Sequence, residues 1–266
     1  MHRSLALAFA ASFALACSSS TTPITPAGDA GPGNEAGPAN DGSSGGTTAK
    51  ISGVTVGFGA NAKPVAGSSV AAGTITTKSD SKGVWSLTLP KSQPFSLTFT
   101  TPNYATLTEQ EFQLTGDFDR GNSSLIDQST ANLLLGTFNG YDATLGVLGL
   151  VAIANGTSCP ADDKTTETVN GATFSVSGGS PGDAGGPKIV YFKGGFPTAS
   201  ATSTAAGQAP AAVAYNVPVG VNLTVTVTHP SCTQQAFPVT QGAITYTGNV
   251  QTIAGLGTSY IRTFLK

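Results

Sequence analysis

From Lys50 onward, apolar and polar residues alternate in short runs with a period of two, and no apolar stripe recurs at helical spacing. That pattern predicts strands. Trp85, Leu87 and Leu89 share one face of a strand over 84–89, and Phe95, Leu97 and Phe99 share one face over 95–100. Ser and Thr take the opposite faces, as in sheets buried on one side only. Asp80-Ser81-Lys82-Gly83 turns the chain before the first strand, and the stretch between Pro90 and Pro94 turns it before the second. The alternation breaks over 115–140, where Leu125, Ile126 and Leu133-Leu134-Leu135 predict an apolar connector with a short helix capped by Ser129 and ending at Gly136. Before Lys50 the pattern is different again. Residues 5–16 form an uncharged apolar run too short to span a bilayer, and residues 18–49 hold one large apolar side chain, Ile24. Nothing in 18–49 offsets the entropy of ordering it. As a Gly-rich coil it predicts a disordered tether with an end-to-end distance of about 30 Å and a full extension of about 105 Å.

The alternating part repeats itself. A shift of 128 residues places Trp85, Leu87 and Leu89 on Val213, Tyr215 and Val217, and Phe95, Leu97 and Phe99 on Leu223, Val225 and Val227. It also places the corners Leu89-Pro90 and Thr101-Pro102 on Val217-Pro218 and His229-Pro230. A shift of 104 places Val65-Ala66-Gly67-Ser68-Ser69-Val70 on Val169-Asn170-Gly171-Ala172-Thr173-Phe174, so the second copy carries about 24 extra residues within 177–209. Tyr104 and Cys232 fall on equivalent positions.

The first copy joins a "P-x-x-G-x-x-V" strand at Pro64 to Val70, a "D-x-x-G-x-aromatic" turn at Asp80 to Trp85, an "L-P" corner at Leu89-Pro90 and a closing "P-x-Y" at Pro102 to Tyr104. Over about 65 residues it resembles the carboxypeptidase regulatory-like domains, which are small transthyretin-like sandwiches. The resemblance implies an all-β fold of two tandem Greek-key β-sandwiches of transthyretin-like type, and it implies little about function, because such domains decorate unrelated proteins. The organisation expected is a leader over 1–16, the tether over 17–49, a first sandwich over 50–115, the connector over 116–140 and a larger second sandwich over 141–266.

Met1-His2-Arg3, the apolar run and Phe13-Ala14-Leu15-Ala16-Cys17 together resemble the lipobox of bacterial lipoproteins. The resemblance implies cleavage before Cys17 and diacylation of its thiol, so that the lipid bilayer becomes a partner. Ser18, rather than Asp, after the cysteine is compatible with outer-membrane sorting. With Cys17 assigned to lipid in this way, Cys159 and Cys232 remain as a disulfide pair in an exported protein, the alternative being two buried free thiols. Closing a loop of about 70 residues would stabilise the fold by about 4 kcal/mol.

Charge narrows the function classes. Only 10% of residues are charged and the net charge is -2, and cleavage that removes Arg3 leaves it at -3. Twelve scattered Lys and Arg form no stripe to neutralise a row of phosphates, which excludes nucleic acid as a partner. Gly178-Gly179-Ser180-Pro181-Gly182 has the letters of a nucleophile elbow, but Pro181 lacks the N–H that the oxyanion hole takes from that position. Gly57-Phe58-Gly59-Ala60-Asn61-Ala62 is read as a strand-end turn, since no helix follows to hold a pyrophosphate. Asp117, Asp119 and Asp127 lack the further ligands of a calcium loop. His229 is read as a turn residue before Pro230. No catalytic set, cofactor or metal is therefore assigned. The candidate ligand-binding residues are Tyr191, Phe192 and Phe196, aromatics set among glycines in the second copy's insertion. The expectation is a non-enzymatic, membrane-anchored envelope module that binds or scaffolds an envelope protein or glycan, with a polysaccharide-binding accessory module as the alternative.

Overall fold

The alternating runs form the strands they predict. A computed structural model describes residues 46–59, 62–155, 159, 168–178, 186–205, 207 and 210–266. The first half comprises β1 (Thr48–Gly57), β2 (Ser69–Ala72), β3 (Ile75–Lys78), β4 (Val84–Pro90), β5 (Leu97–Thr100), β6 (Leu107–Glu109), β7 (Phe112–Leu114) and β8 (Phe118–Leu125). Helix α1 (Gln128–Leu135) follows. The second half comprises β9 (Gly146–Ala154), β10 (Thr173–Ser177), β11 (Lys188–Lys193), β12 (Phe196–Thr198), β13 (Ala212–Val217), β14 (Thr224–Thr228), β15 (Val239–Gln241), β16 (Ile244–Tyr246) and β17 (Thr258–Leu265). The regular structure among the described residues is all-β apart from α1.

The repeat read from side chains recurs in strand register. Val70 pairs with Phe99 and Ala72 with Leu97 across β2 and β5; their equivalents Phe174 and Val227, and Val176 and Val225, pair across β10 and β14. Gly53 pairs with Trp85 across β1 and β4, and Gly149 with Val213 across β9 and β13. The correspondence extends one strand further than the sequence pattern. β8 lies parallel to β1 with Ile51 opposite Phe118, and β17 lies parallel to β9 with Val147 opposite Thr258.

The first repeat therefore runs through Leu125, and the stretch 116–140 divides into its last strand and α1. Phe118-Asp119-Arg120-Gly121-Asn122-Ser123-Ser124-Leu125 is apolar only at its ends, so period two does not mark it as a strand. Its pairing with β1 also slips between Ser52 and Val54, where Arg120 and Gly121 stand opposite Gly53 alone in a bulge, with Gly121 at φ 70°. The bulge carbonyl and the Trp85 ring leave no room at Gly53: a Cβ there would lie 2.7 Å from Gly121 O and 2.9 Å from the indole. Ser129 is not the cap of α1. Asp127 is, accepting a hydrogen bond from Thr130 N at 2.9 Å, while the Ser129 hydroxyl donates to the same carboxylate.

The two repeats are joined through their backbones. A nine-stranded sheet runs in the order β12-β11-β13-β9-β17-β6-β5-β2-β3, and its crossing from the second repeat to the first is the parallel pair β17 and β6. A smaller sheet, β15-β16-β7, also crosses between the repeats, through the antiparallel pair β16 and β7. The remaining sheets are β4-β1-β8 and β10-β14. The first core holds Ile51, Trp85, Leu89, Phe99 and Phe112, and it is completed by Ile153, Val239, Ile244, Tyr246 and Phe264 from the second repeat. Leu148, Leu150, Val217, Val225, Val227 and Ile261 centre the second core. β9 is buried on both faces, which is why Gly146-Val147-Leu148-Gly149-Leu150-Val151-Ala152-Ile153 reads as a continuous apolar run.

Candidate functional site

β9, β17 and β6 lie side by side in the middle of the long sheet, and their registers put Val147, Gly149 and Val151, Thr258, Tyr260 and Arg262, and Leu107 and Glu109 on one face. Over that face α1 brings Ala131, Leu134 and Leu135, with Phe138 just beyond it. Phe192 and Val213 close one side and Ser123 and Ser124 of β8 another, around a cavity of about 270 Å³. Most of its wall is apolar. Its polar part includes Thr106, Asn122, Gln241 and Thr258 and centres on a charge cluster contributed by three strands of the two repeats.

Glu109 on β6 is buried, and Arg120 reaches it from the β8 bulge through two hydrogen bonds. Nε donates to Oε2 at 2.8 Å and Nη2 donates to Oε1 at 2.7 Å. Arg262 on β17 brings a second guanidinium, whose Nη1 stands 4.0 Å from Glu109 Oε2. Burial raises the Glu109 pKa, but the charges of Arg120 and Arg262 draw it down further, so it lies below its ordinary value and the carboxylate is ionised. Burial likewise disfavours the charged Arg120, and the pairing with Glu109 outweighs it, raising its pKa. Two cations therefore face one anion. The Arg262 guanidinium lies 5.4 Å and 5.9 Å from the ring centres of Tyr260 and Tyr246. Its backbone is tied to Gln110, whose side chain accepts from Arg262 N and donates to Arg262 O. Arg262 Nη1 and Ser123 Oγ are both buried without a hydrogen-bond partner.

The residues singled out in the sequence are not gathered at one place. Tyr191 and Phe192 are neighbours on β11 and therefore face opposite ways. Tyr191 packs into the second core beside Phe174 and accepts a hydrogen bond from Phe174 N at 2.9 Å, whereas Phe192 packs with Leu135, Phe138 and Val213 and lines the cavity. Phe196 is 46% exposed on the edge strand β12. The three do not form a common sugar platform, because a strand turns adjacent side chains to opposite faces. Cys159 and Cys232 form a disulfide with a Cα–Cα distance of 5.4 Å. Cys232 packs on the second core as its equivalent Tyr104 packs on the first. Cys17 and residues 179–185 lie outside the described residues.

The other motif residues have local tasks. Asp117 accepts from Lys50 N at 2.8 Å, Asp119 accepts from Gly121 N at 2.9 Å, and Asp127 caps α1. His229 Nδ1 accepts from Ser231 N at 3.1 Å, which leaves Nε2 to donate to Asn170 O at 2.9 Å. Gly57 N donates to Lys63 O at 2.8 Å as the chain turns back from β1.

No protein-family model matches the chain, and no curated protein matches it. Among solved structures it is similar to the Bacillus anthracis TIE protein, at 12% identity over 83% of this chain with a TM-score of 0.24. The match spans 34% of that protein's chain. It is similar as well to the shaft pilin SpaA from Lactobacillus rhamnosus GG, at 14% identity over 82% of this chain and 99% of the pilin, with a TM-score of 0.24. A minor pilin of Streptococcus agalactiae matches at 10% identity over 81% of this chain and 95% of its own, with a TM-score of 0.21. Such low TM-scores mean that the strand paths do not superpose. The architecture described above rests on the pairing of this chain's own strands.

Proposed function

We propose that this protein is a non-enzymatic envelope lipoprotein: Cys17 carries the lipid, residues 18–49 form a spacer, and the two repeats present a binding or scaffolding body outside an outer membrane. The observation that carries the reading is the continuity of that body. It starts at Thr48, directly after the spacer, and pairs of strands cross between its repeats in two sheets, so a load or a partner meets both repeats joined by backbone pairing. The ionised groups with shifted pKa values also have structural partners: Glu109 joins strands, Asp127 caps a helix, and Asp142 closes a turn by accepting from Thr144 N at 2.8 Å. Tyr191, Phe192 and Phe196 do not all share a face, so they lend a flat polysaccharide platform no particular support.

Detergent-phase partitioning of the full chain tests the anchor. The wild type is expected in the detergent phase, bearing diacylglycerol on Cys17, and Cys17→Ala in the aqueous phase. Recovery of the wild type in the aqueous phase with an unmodified N-terminal cysteine, or with cleavage elsewhere, would overturn the reading.

A further inference from the structure

The geometry points to a binding site for a small apolar carboxylate in the cavity between the repeats, with Arg262 and Ser123 holding the carboxylate and the walls between α1 and the long sheet holding the apolar body. The inference rests on the cavity alone and is independent of the Cys17 anchor.

Three observations carry it. Arg120 satisfies both oxygens of Glu109, so Arg262 stands at a carboxylate that is already paired, 4.0 Å away and beyond hydrogen-bond distance. The cluster is left with a net charge of +1, and Arg262 Nη1, on the more distant of the two guanidinium groups from Glu109, is buried with no hydrogen-bond partner. A buried guanidinium N–H without an acceptor is costly, and a monoanion placed there supplies the acceptor and balances the excess charge. Ser123 Oγ, which lies against the Glu109 carboxylate but makes no hydrogen bond of good geometry, supplies a second donor, on the strand that also delivers Arg120, and both Ser123 and Arg262 border the cavity. A guanidinium and a hydroxyl match the two oxygens of a carboxylate.

The rest of the cavity selects the body of the ligand. Leu134, Leu135, Phe138, Val147 and Phe192 form an apolar wall on which a sugar would leave hydroxyls unpaired, while Thr106, Asn122, Gln241 and Thr258 add uncharged polar atoms elsewhere on the lining. Gly149 contributes depth, since a Cβ at that position would lie 2.8 Å from the Tyr260 ring. The cavity of about 270 Å³ lies at the small end of ligand pockets, which run from about 300 to 1,000 Å³. It suits a small ligand such as a medium-chain fatty acid or a short aryl-alkanoic acid.

The test uses the full chain with Cys17→Ala, which removes acyl groups that would compete, in buffer without micelles. Calorimetric titration compares decanoate, 4-phenylbutyrate, decanol and acetate. Saturable one-to-one binding of decanoate or 4-phenylbutyrate is expected, at least tenfold tighter than decanol, with acetate not detected. The stronger of the two acids distinguishes a chain-shaped from a ring-shaped occupant. Arg262→Gln should weaken the acid at least tenfold while leaving decanol unchanged, and Leu134→Trp, which fills the cavity, should abolish both. If Arg262→Gln does not fold, Ser123→Ala carries the comparison, with an expected loss of threefold or more for the acid alone. Equal binding of acid and alcohol, acid binding unaffected by the substitution at the charge cluster, or no saturable acid binding at millimolar concentration would each overturn the inference.

Discussion

Replacing Glu109 with Gln keeps the shape of the side chain and removes the only anion in the charge cluster. Arg120 and Arg262 would then face each other across a largely buried space in which no other carboxylate is hydrogen-bonded to either. Removing one partner of a buried ion pair costs about 3–5 kcal/mol, because the remaining charge keeps its desolvation penalty. For a folded body of this size about 1 kcal/mol moves the midpoint by about 2–4 °C, so Glu109→Gln should lower Tm by about 6–20 °C in a calorimetric scan at neutral pH. Glu109→Leu combined with Arg120→Met replaces the pair with apolar groups of similar length and should recover much of that loss. The acid dependence has a defined sign. The folded pKa of Glu109 lies below its ordinary 4.5, so its contribution is present in full above about that pH and is lost as pH falls through the lower, folded value. The difference in Tm between wild type and Glu109→Gln should therefore shrink on acidification. A drop of less than about 2 °C for the single variant, or a double variant no more stable than the single one, would refute the claim that these charges are desolvated at the repeat junction.

Replacing Cys159 and Cys232 together with Ser opens a loop of 73 residues and should cost about 4 kcal/mol, read as a shift of the urea midpoint that wild type shows only with reductant. Gly53→Ala should destabilise by about 1–3 kcal/mol, because its Cβ meets a backbone carbonyl and the buried Trp85 ring. The equivalent Gly149→Ala should cost less, since the Tyr260 ring it meets borders the cavity and has space to move; chemical denaturation of the two variants side by side checks the order. Asp127→Ala removes the cap of α1 and should cost about 0.5–2 kcal/mol. Its hydrogen bonds from Ser129 and Thr130 hold the Asp127 pKa at about 2 against an ordinary 3.8, so the stability it confers is full above about pH 4 and disappears as the pH falls through about 2.

The strands with one apolar and one hydroxyl face were legible because burial on one side writes period two into the sequence, and the shift of 128 residues located their equivalents. β8 was hidden for the opposite reason. Its middle residues are polar and its bulge breaks the alternation, so only the pairing with β1 identifies it. The crossing pairs β17 with β6 and β16 with β7 join residues about 130 to 150 positions apart through backbone groups, and backbone bonds leave no side-chain signature. The cap of α1 fell on Asp127 because the helix begins at Gln128, which puts Ser129 inside the first turn, where its hydroxyl donates to the Asp127 carboxylate. At the site, Phe192 was read as a candidate, but Glu109, Arg120, Ser123 and Arg262 were not. A signal existed for two of them. Glu109 follows Leu107 at a spacing of two, and Arg262 follows Tyr260 in the same way, so each charge continues an apolar face in a chain with only 10% charged residues. Arg120 also follows Phe118 at a spacing of two, but Asn122, Ser123 and Ser124 do not continue the alternation past it, and the bulge that aims it is a property of the paired strands.

Any tension that reaches the body from upstream of residue 48 enters through β1, and β1 is the central strand of β4-β1-β8. An edge strand peels from its neighbour one rung at a time. A strand bonded on both flanks and pulled along its own axis must instead slide past two neighbours, one antiparallel and one parallel, so its rungs are loaded in shear and resist together. The same β8 that carries Arg120 into the cavity is thus one side of the mechanical clamp where the body begins.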